Sequence, residues 1–137
     1  MSVEANKALV RRFIEEVLNQ GKFELMPEFY ASSKLAMHIQ SDGPALRQGF
    51  PDVQWVIEDL FAEGDKVATR WTMTGTNSGP FMGRPATGKT ARWGGVTIVV
   101  LKDGKFVEEW VYPDRLAILQ QIGMLPASMP AHASQQG

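Results

Sequence analysis

Leu9, Val10, Phe13, Ile14, Val17 and Leu18 recur at three- and four-residue spacing, with Lys7, Arg11, Arg12, Glu15 and Glu16 between them. That spacing gathers the apolar side chains on one stripe of a helix, so residues 3–20 read as an amphipathic helix stopped by Gly21. A second short helix is expected over 23–29, where Leu25, Met26 and Phe29 are apolar and Pro27 suits a first turn. Over 34–40 the period changes. Leu35, Met37 and Ile39 alternate with Ala36 and His38, which reads as a short strand. Asp42-Gly43-Pro44 reads as a turn, and 45–50 as a helical turn broken by Pro51-Asp52.

From Val53 onward alternation dominates. Val53, Trp55 and Ile57 oppose Gln54, Val56 and Glu58 in one strand; Val67, Thr69, Trp71 and Met73 oppose Ala68, Arg70, Thr72 and Thr74 in the next. Glu63-Gly64-Asp65 joins them as a tight hairpin. A glycine- and proline-rich stretch over 75–90, which includes Asn77 and Phe81, is too long for a simple turn and has the make-up of a binding loop or lid. Residues 90–101 form the longest strand candidate, bent at Gly94-Gly95, and Lys102-Asp103-Gly104 turns the chain into a last strand. There Glu108, Trp110 and Tyr112 share one face, Glu109 and Val111 the other. Pro113 closes that strand, and Asp114 opens a helix carrying Leu116, Ile118, Leu119 and Ile122, ended by Gly123. Helices followed by hairpin-linked strands make an α+β pattern, with helices packed on one face of a curved antiparallel sheet. One domain over 1–125 and a low-complexity tail over 126–137 are expected.

Charge narrows the partners. Fourteen basic and 15 acidic side chains leave a net charge of −1, with no basic run, which argues against nucleic acid or an anionic membrane surface. The absence of cysteine removes disulfides, thiolate metal sites and a cysteine nucleophile. Charge in every turn of the first helix gives no signal-peptide pattern, and no apolar run is long enough to span a bilayer, so a soluble cytoplasmic protein is expected. Only His38 and His132 could serve as imidazole ligands, at no metal-site spacing, so no metal is expected. Neither GTNSGPFMG nor PATGKT fits a phosphate-cradling loop, and no G-x-S-x-G elbow occurs. Acid–base chemistry by a carboxylate in an apolar setting remains. Asp114 and His38 are the candidates, with Trp110, Tyr112, Trp71 and Trp93 as possible walls. Each has a plainer reading: Asp114 as a helix cap, His38 as a hydrogen-bonded structural residue, the aromatics as core.

The blocks NKALVRRFIEEVLNQGKFE, FPDVQWVIEDLFAEGDKVATRWTMTGTNSGPFMGRPATGKT and DGKFVEEWVYPDRLAILQQIG together resemble the SnoaL-like polyketide cyclases of the nuclear-transport-factor-2-like (NTF2-like) superfamily. The likeness runs from about Asn6 to Gly123. Its specific pieces are Phe50-Pro51-Asp52, the loop from Gly75 to Lys89 around Phe81, and E-x-W-x-x-x-D from Glu108 to Asp114. The resemblance implies a cone, a curved sheet wrapped around helices and closing an apolar cavity, and a homodimer or homotetramer built through the outer sheet face. It also implies Asp114 as the acid/base of an intramolecular aldol closure without metal or cofactor, on an aromatic polyketide ester; for this chain a small apolar carbonyl compound is the expected substrate, with His38 as a polar partner. Counted back from Asp114, Ile98 and Val100 fall where the cyclases place polar partners of the substrate, and Asn77 stands for a histidine common in the lid loop. Ketosteroid-isomerase-like or epoxide-hydrolase-like activity, or mere binding of a hydrophobic molecule, are the alternatives on such a scaffold.

Overall fold

In the computed structural model, residues 2–126 are described, except for the side chains of residues 38–43. The 127–137 part of the expected tail, His132 included, and the His38 side chain thus lie outside the described residues.

Ser2 caps α1 (Val3–Phe13), its Oγ accepting from the Ala5 amide at 3.0 Å. The helix continues as a π turn over Ile14–Asn19 instead of remaining α-helical to residue 20. Asn19 at its end clamps the sheet edge: its amide donates to Trp55 O at 3.0 Å and its Oδ1 accepts from Trp55 N at 2.7 Å. A 3₁₀ turn (Phe23–Leu25) leads into α2 (Met26–Phe29), with Pro27 in the first turn as expected.

The expected strand over 34–40 is not one. Those residues belong to α3 (Ser33–Gly49), which also absorbs the expected turn at Asp42-Gly43-Pro44 and the helical turn after it. The alternation of Leu35, Met37 and Ile39 spans too few residues to separate a strand from one side of a helix. The ends decide it. Ser32 Oγ accepts from Leu35 N at 3.2 Å, and Phe50 N closes the last turn on Leu46 O at 2.8 Å.

Four strands follow, β1 (Gln54–Glu63), β2 (Lys66–Thr76), β3 (Thr90–Lys102) and β4 (Lys105–Pro113), in one antiparallel sheet of sequential order. Both tight hairpins form where the turn residues predict them. Gly64 takes positive φ between paired Glu63 and Lys66, and Asp103-Gly104, both at positive φ, joins Lys102 to Lys105. Helix α4 (Arg115–Gln121) then packs on β3. Beyond Gly95 the β3 ladder has lost β4, and the Asp114 amide and the Gln121 side chain take its place, pairing with Gly94 and with both backbone groups of Arg92. Among the described residues no helix is long and apolar enough to cross a membrane.

The core lies between α1 and the inner sheet face. Phe13 meets Phe29, Tyr30 and Phe106 edge-on at centroid distances of 5.2, 5.6 and 5.3 Å, closing one end. Inner residues of β2 and β3 alternate without exception among Val67, Thr69, Trp71 and Met73, and among Ala91, Trp93, Val99 and Leu101, all buried. Gly95 is part of this face because the Trp71 indole lies over it; a Cβ there would overlap the ring. Gly95→Ala should therefore push Trp71 out of its seat and lower the unfolding free energy by about 1–3 kcal/mol, read by chemical denaturation followed through tryptophan fluorescence.

Candidate active site

Helices α1, α3 and α4, the inner sheet face and the 77–89 loop line a partly open cavity of ≈ 800 Å³. Trp71 and Trp93 form its sheet wall, Val10 and Ile14 its helical wall, and Phe81 and Met82 part of the loop side. Among the described lining residues only Glu109 and Arg115 are charged, with Thr69, Thr97 and Gln48 adding uncharged polar groups.

Register explains which side chains arrive there. Thr97 pairs with Val111 and Val99 with Glu109, so these four lie on the inner side in two adjacent rows. A shift between Val100 and Leu101 leaves Val107 as the extra residue, which lets Phe106 and Glu109 both face inward. Thr97 Oγ1 accepts from Trp71 Nε1 at 2.9 Å and holds the indole flat against the sheet. Tyr30 Oη donates to Glu109 Oε1 at 2.7 Å. Burial, with the Glu109 charge second, pushes the Tyr30 phenol far above its ordinary pKa, so it remains a neutral donor.

The structure brings Trp71, Trp93 and Phe81 to the cavity and takes other expected residues away from it. Ile98, Val100, Trp110 and Tyr112 sit on the outer sheet face, and the assignment of these four to the pocket wall is corrected. Trp110 is 40 % and Tyr112 62 % exposed. Their alternation with Glu109 and Val111 is as read from the sequence; it is the smaller, less aromatic set that turns inward. Asp114 caps α4, its Oδ1 accepting from Ala117 N at 3.1 Å, and it is not among the described lining residues although its neighbours Pro113 and Arg115 are. His38 lies on α3, not on a strand, and its side chain is outside the described residues. Glu109, absent from the expected site, was marked in the sequence only by its parity opposite Trp110.

The loop over the cavity is stapled by Asn77, which is fully buried. Its amide donates to Gly49 O at 3.2 Å and Gly79 O at 3.0 Å, while its Oδ1 accepts from the Thr87 amide and hydroxyl at 2.9 Å each. Gly79 is required beneath it, since a Cβ would strike the Gln48 carbonyl. At the loop tip Phe81 and Arg84 exchange two backbone hydrogen bonds of 3.0 Å across Met82-Gly83. Asp52 supports the loop's start by accepting from Thr76 N at 2.7 Å, which holds its carboxyl below the usual range. No group of three or more potential metal-ligating His, Asp or Glu side chains gathers among the described residues.

The sequence profile of the SnoaL-like polyketide cyclases matches residues 8–122. The chain belongs to that family. No curated protein matches it at a significant level. Solved structures do. AclR from Streptomyces galilaeus, described as a candidate hydroxylase, is 28% identical with a TM-score of 0.79, covering 94% of this chain and 87% of its own. TsrD from Streptomyces laurentii is 25% identical with a TM-score of 0.77, over 91% of this chain and 99% of that one. IdmH from Streptomyces antibioticus, described as a candidate polyketide cyclase, is 25% identical with a TM-score of 0.75, over 86% and 98%. The curved four-stranded sheet with its helices is thus the NTF2-like α+β cone of this SnoaL-like protein.

Replacing Asn77 by alanine should remove its hydrogen bonds to the Gly49 and Gly79 carbonyls and to Thr87 together, costing about 1–3 kcal/mol. Hydrogen exchange should then accelerate at the Thr87 and Gly88 amides before it does in the strands.

Proposed function

We propose that this SnoaL-like protein binds a small apolar carbonyl compound in its cone and catalyses a cofactor-independent proton transfer on it, either an intramolecular aldol cyclisation or a related isomerisation. The observation that carries the reading is the cavity: ≈ 800 Å³, walled by aromatic and aliphatic side chains, with a carboxylate set in the wall. Such a space suits a ligand of one to three rings, recognised by shape and by few polar groups. Confinement would fold a flexible chain so that its nucleophilic carbon meets a carbonyl, lowering an entropic barrier by as much as ~7 kcal/mol in a well-oriented case. A carboxylate can take a proton from a carbon next to a carbonyl and return one to the product. Similar proteins described as candidate cyclase and candidate hydroxylase support a shared cone, and the reaction must be argued from the site.

The outer sheet face supports self-association as a homodimer or homotetramer. Phe61, Ala68, Ile98 and Trp110 stand in one cross-strand row, with Tyr112 beside it and the Arg70–Asp59 ion pair at 2.6 Å on the neighbouring row. Phe61 and Tyr112 are each 62 % exposed, an apolar surface that a second copy would cover.

Two measurements test these proposals. Titrating β-tetralone, a bicyclic ketone, should quench the tryptophan fluorescence saturably, and a linear aromatic poly-β-keto methyl ester should be converted to an isomer of equal mass. Saturable quenching without conversion would instead mark a binding protein. In light scattering, Trp110→Lys should shift an oligomer to monomer while quenching by β-tetralone persists; a monomeric wild type would remove the association proposal.

A further inference from the structure

We propose that Glu109, held by Tyr30, is the carboxylate that exchanges protons with a ligand in the cone, and that Asp114 is a structural cap. This rests on the reading of the cavity as a site for an apolar carbonyl compound.

Position is the first argument. Glu109 pairs with Val99 on the inner row of the sheet and lines the cavity, next to Val111 opposite Thr97. Asp114 follows Pro113, where the strand has ended, and its carboxylate turns back onto Ala117 N at 3.1 Å. Asparagine caps a helix about as well as aspartate, so that role does not need a charge.

The support beneath Glu109 is the second argument. Tyr30 is only 4 % exposed, packed edge-on against Phe13 and Phe106 at 5.6 and 5.1 Å, and donates to Glu109 at 2.7 Å. Its backbone is fixed as well, bridged to Phe106, with the next amide, Ala31 N, on Phe106 O at 3.0 Å. The phenol cannot swing away, and raised proton affinity keeps its hydrogen in place. A buried donor of this kind orients one carboxylate oxygen toward the phenol and fixes where the carboxylate sits in the cavity wall. Arg115, the other charged lining residue described, is a cation and cannot serve as the base.

In the resulting step, Glu109 takes the proton from a carbon next to the ligand's carbonyl. The C–H electron pair becomes the enolate C=C bond, and the negative charge moves to the carbonyl oxygen. Return of the proton, to carbon in an isomerisation or to the new alkoxide in an aldol closure, restores the carboxylate, so no oxidant, metal or co-reactant enters the balance. Glu109 is then the catalytic residue and Tyr30 a positioning residue.

Deuterium uptake by β-tetralone in heavy water, followed by NMR at the benzylic carbon beside the carbonyl, tests the assignment. The wild type should exceed matched buffer. Glu109→Gln should lower the enzymatic rate by about a hundredfold, the usual size of a general-base contribution, while fluorescence quenching by β-tetralone persists. Glu109→Asp, which keeps the charge but withdraws it by one methylene, should also slow exchange and serves if the glutamine variant does not fold. Asp114→Asn should retain the wild-type rate. Tyr30→Phe should lower kcat with KM unchanged. Exchange undiminished in both Glu109 variants, its collapse in Asp114→Asn, or no wild-type exchange despite saturable quenching would overturn the role of Glu109 and leave the ligand site standing. Absence of quenching in the wild type would overturn both.

Discussion

The sheet side of the cavity is placed by one hydrogen-bond ladder running from β2 through β3 to β4, with a register shift between Val100 and Leu101. Side chains alternate strictly along each strand, so a slip of one residue would send the inner row outside. Trp71 over Gly95 locks the ladder between β2 and β3, because the indole occupies the space of a side chain that glycine lacks. The extra residue at Val107 resets the parity of β4, and through it Phe106 enters the aromatic cluster while Glu109 enters the cavity. Core and site are therefore two outcomes of the same register.

A second constraint follows from lining a cavity with apolar groups. A polar atom buried against such a wall needs a partner, since an unmade hydrogen bond there is expensive. The indole N–H of Trp71 finds Thr97, the phenol of Tyr30 finds Glu109, and the amide of Asn77 finds the Gly49 and Gly79 carbonyls. The bonds from Trp71 to Thr97, Tyr30 to Glu109 and Asn77 to Gly49 join segments distant in sequence, so satisfying polar groups also ties helix, sheet and loop together.

The two sheet faces show why hydrophobicity alone misleads about function. Trp110, Tyr112, Ile98 and Val100 put large apolar side chains on the outer side of β3 and β4, and expecting them inside follows the ordinary rule. That rule describes what a core contains and does not forbid large apolar side chains on an outer face. Val111, Thr97 and Glu109 look unremarkable in a linear reading, yet they are the side chains that share the cavity with Trp71 and Trp93.

Local chemistry was enough to specify the elements whose signals lie within a few residues: the amphipathic stripe of α1, the two hairpins at Gly64 and Asp103-Gly104, the cap at Asp114 and the alternation along all four strands. Family membership was legible too, because it is carried by blocks spread over nearly the whole chain. Residues 34–40 were not, since a short alternating run fits a strand or one side of a helix, and the cap at Ser32 and the packing at Phe50 settle it from outside. Nor was the cavity face of β4, because alternation defines two faces without saying which one other elements will cover. That choice is made where α1, α3 and the Asn77 loop come to rest on the sheet, through contacts between residues tens of positions apart.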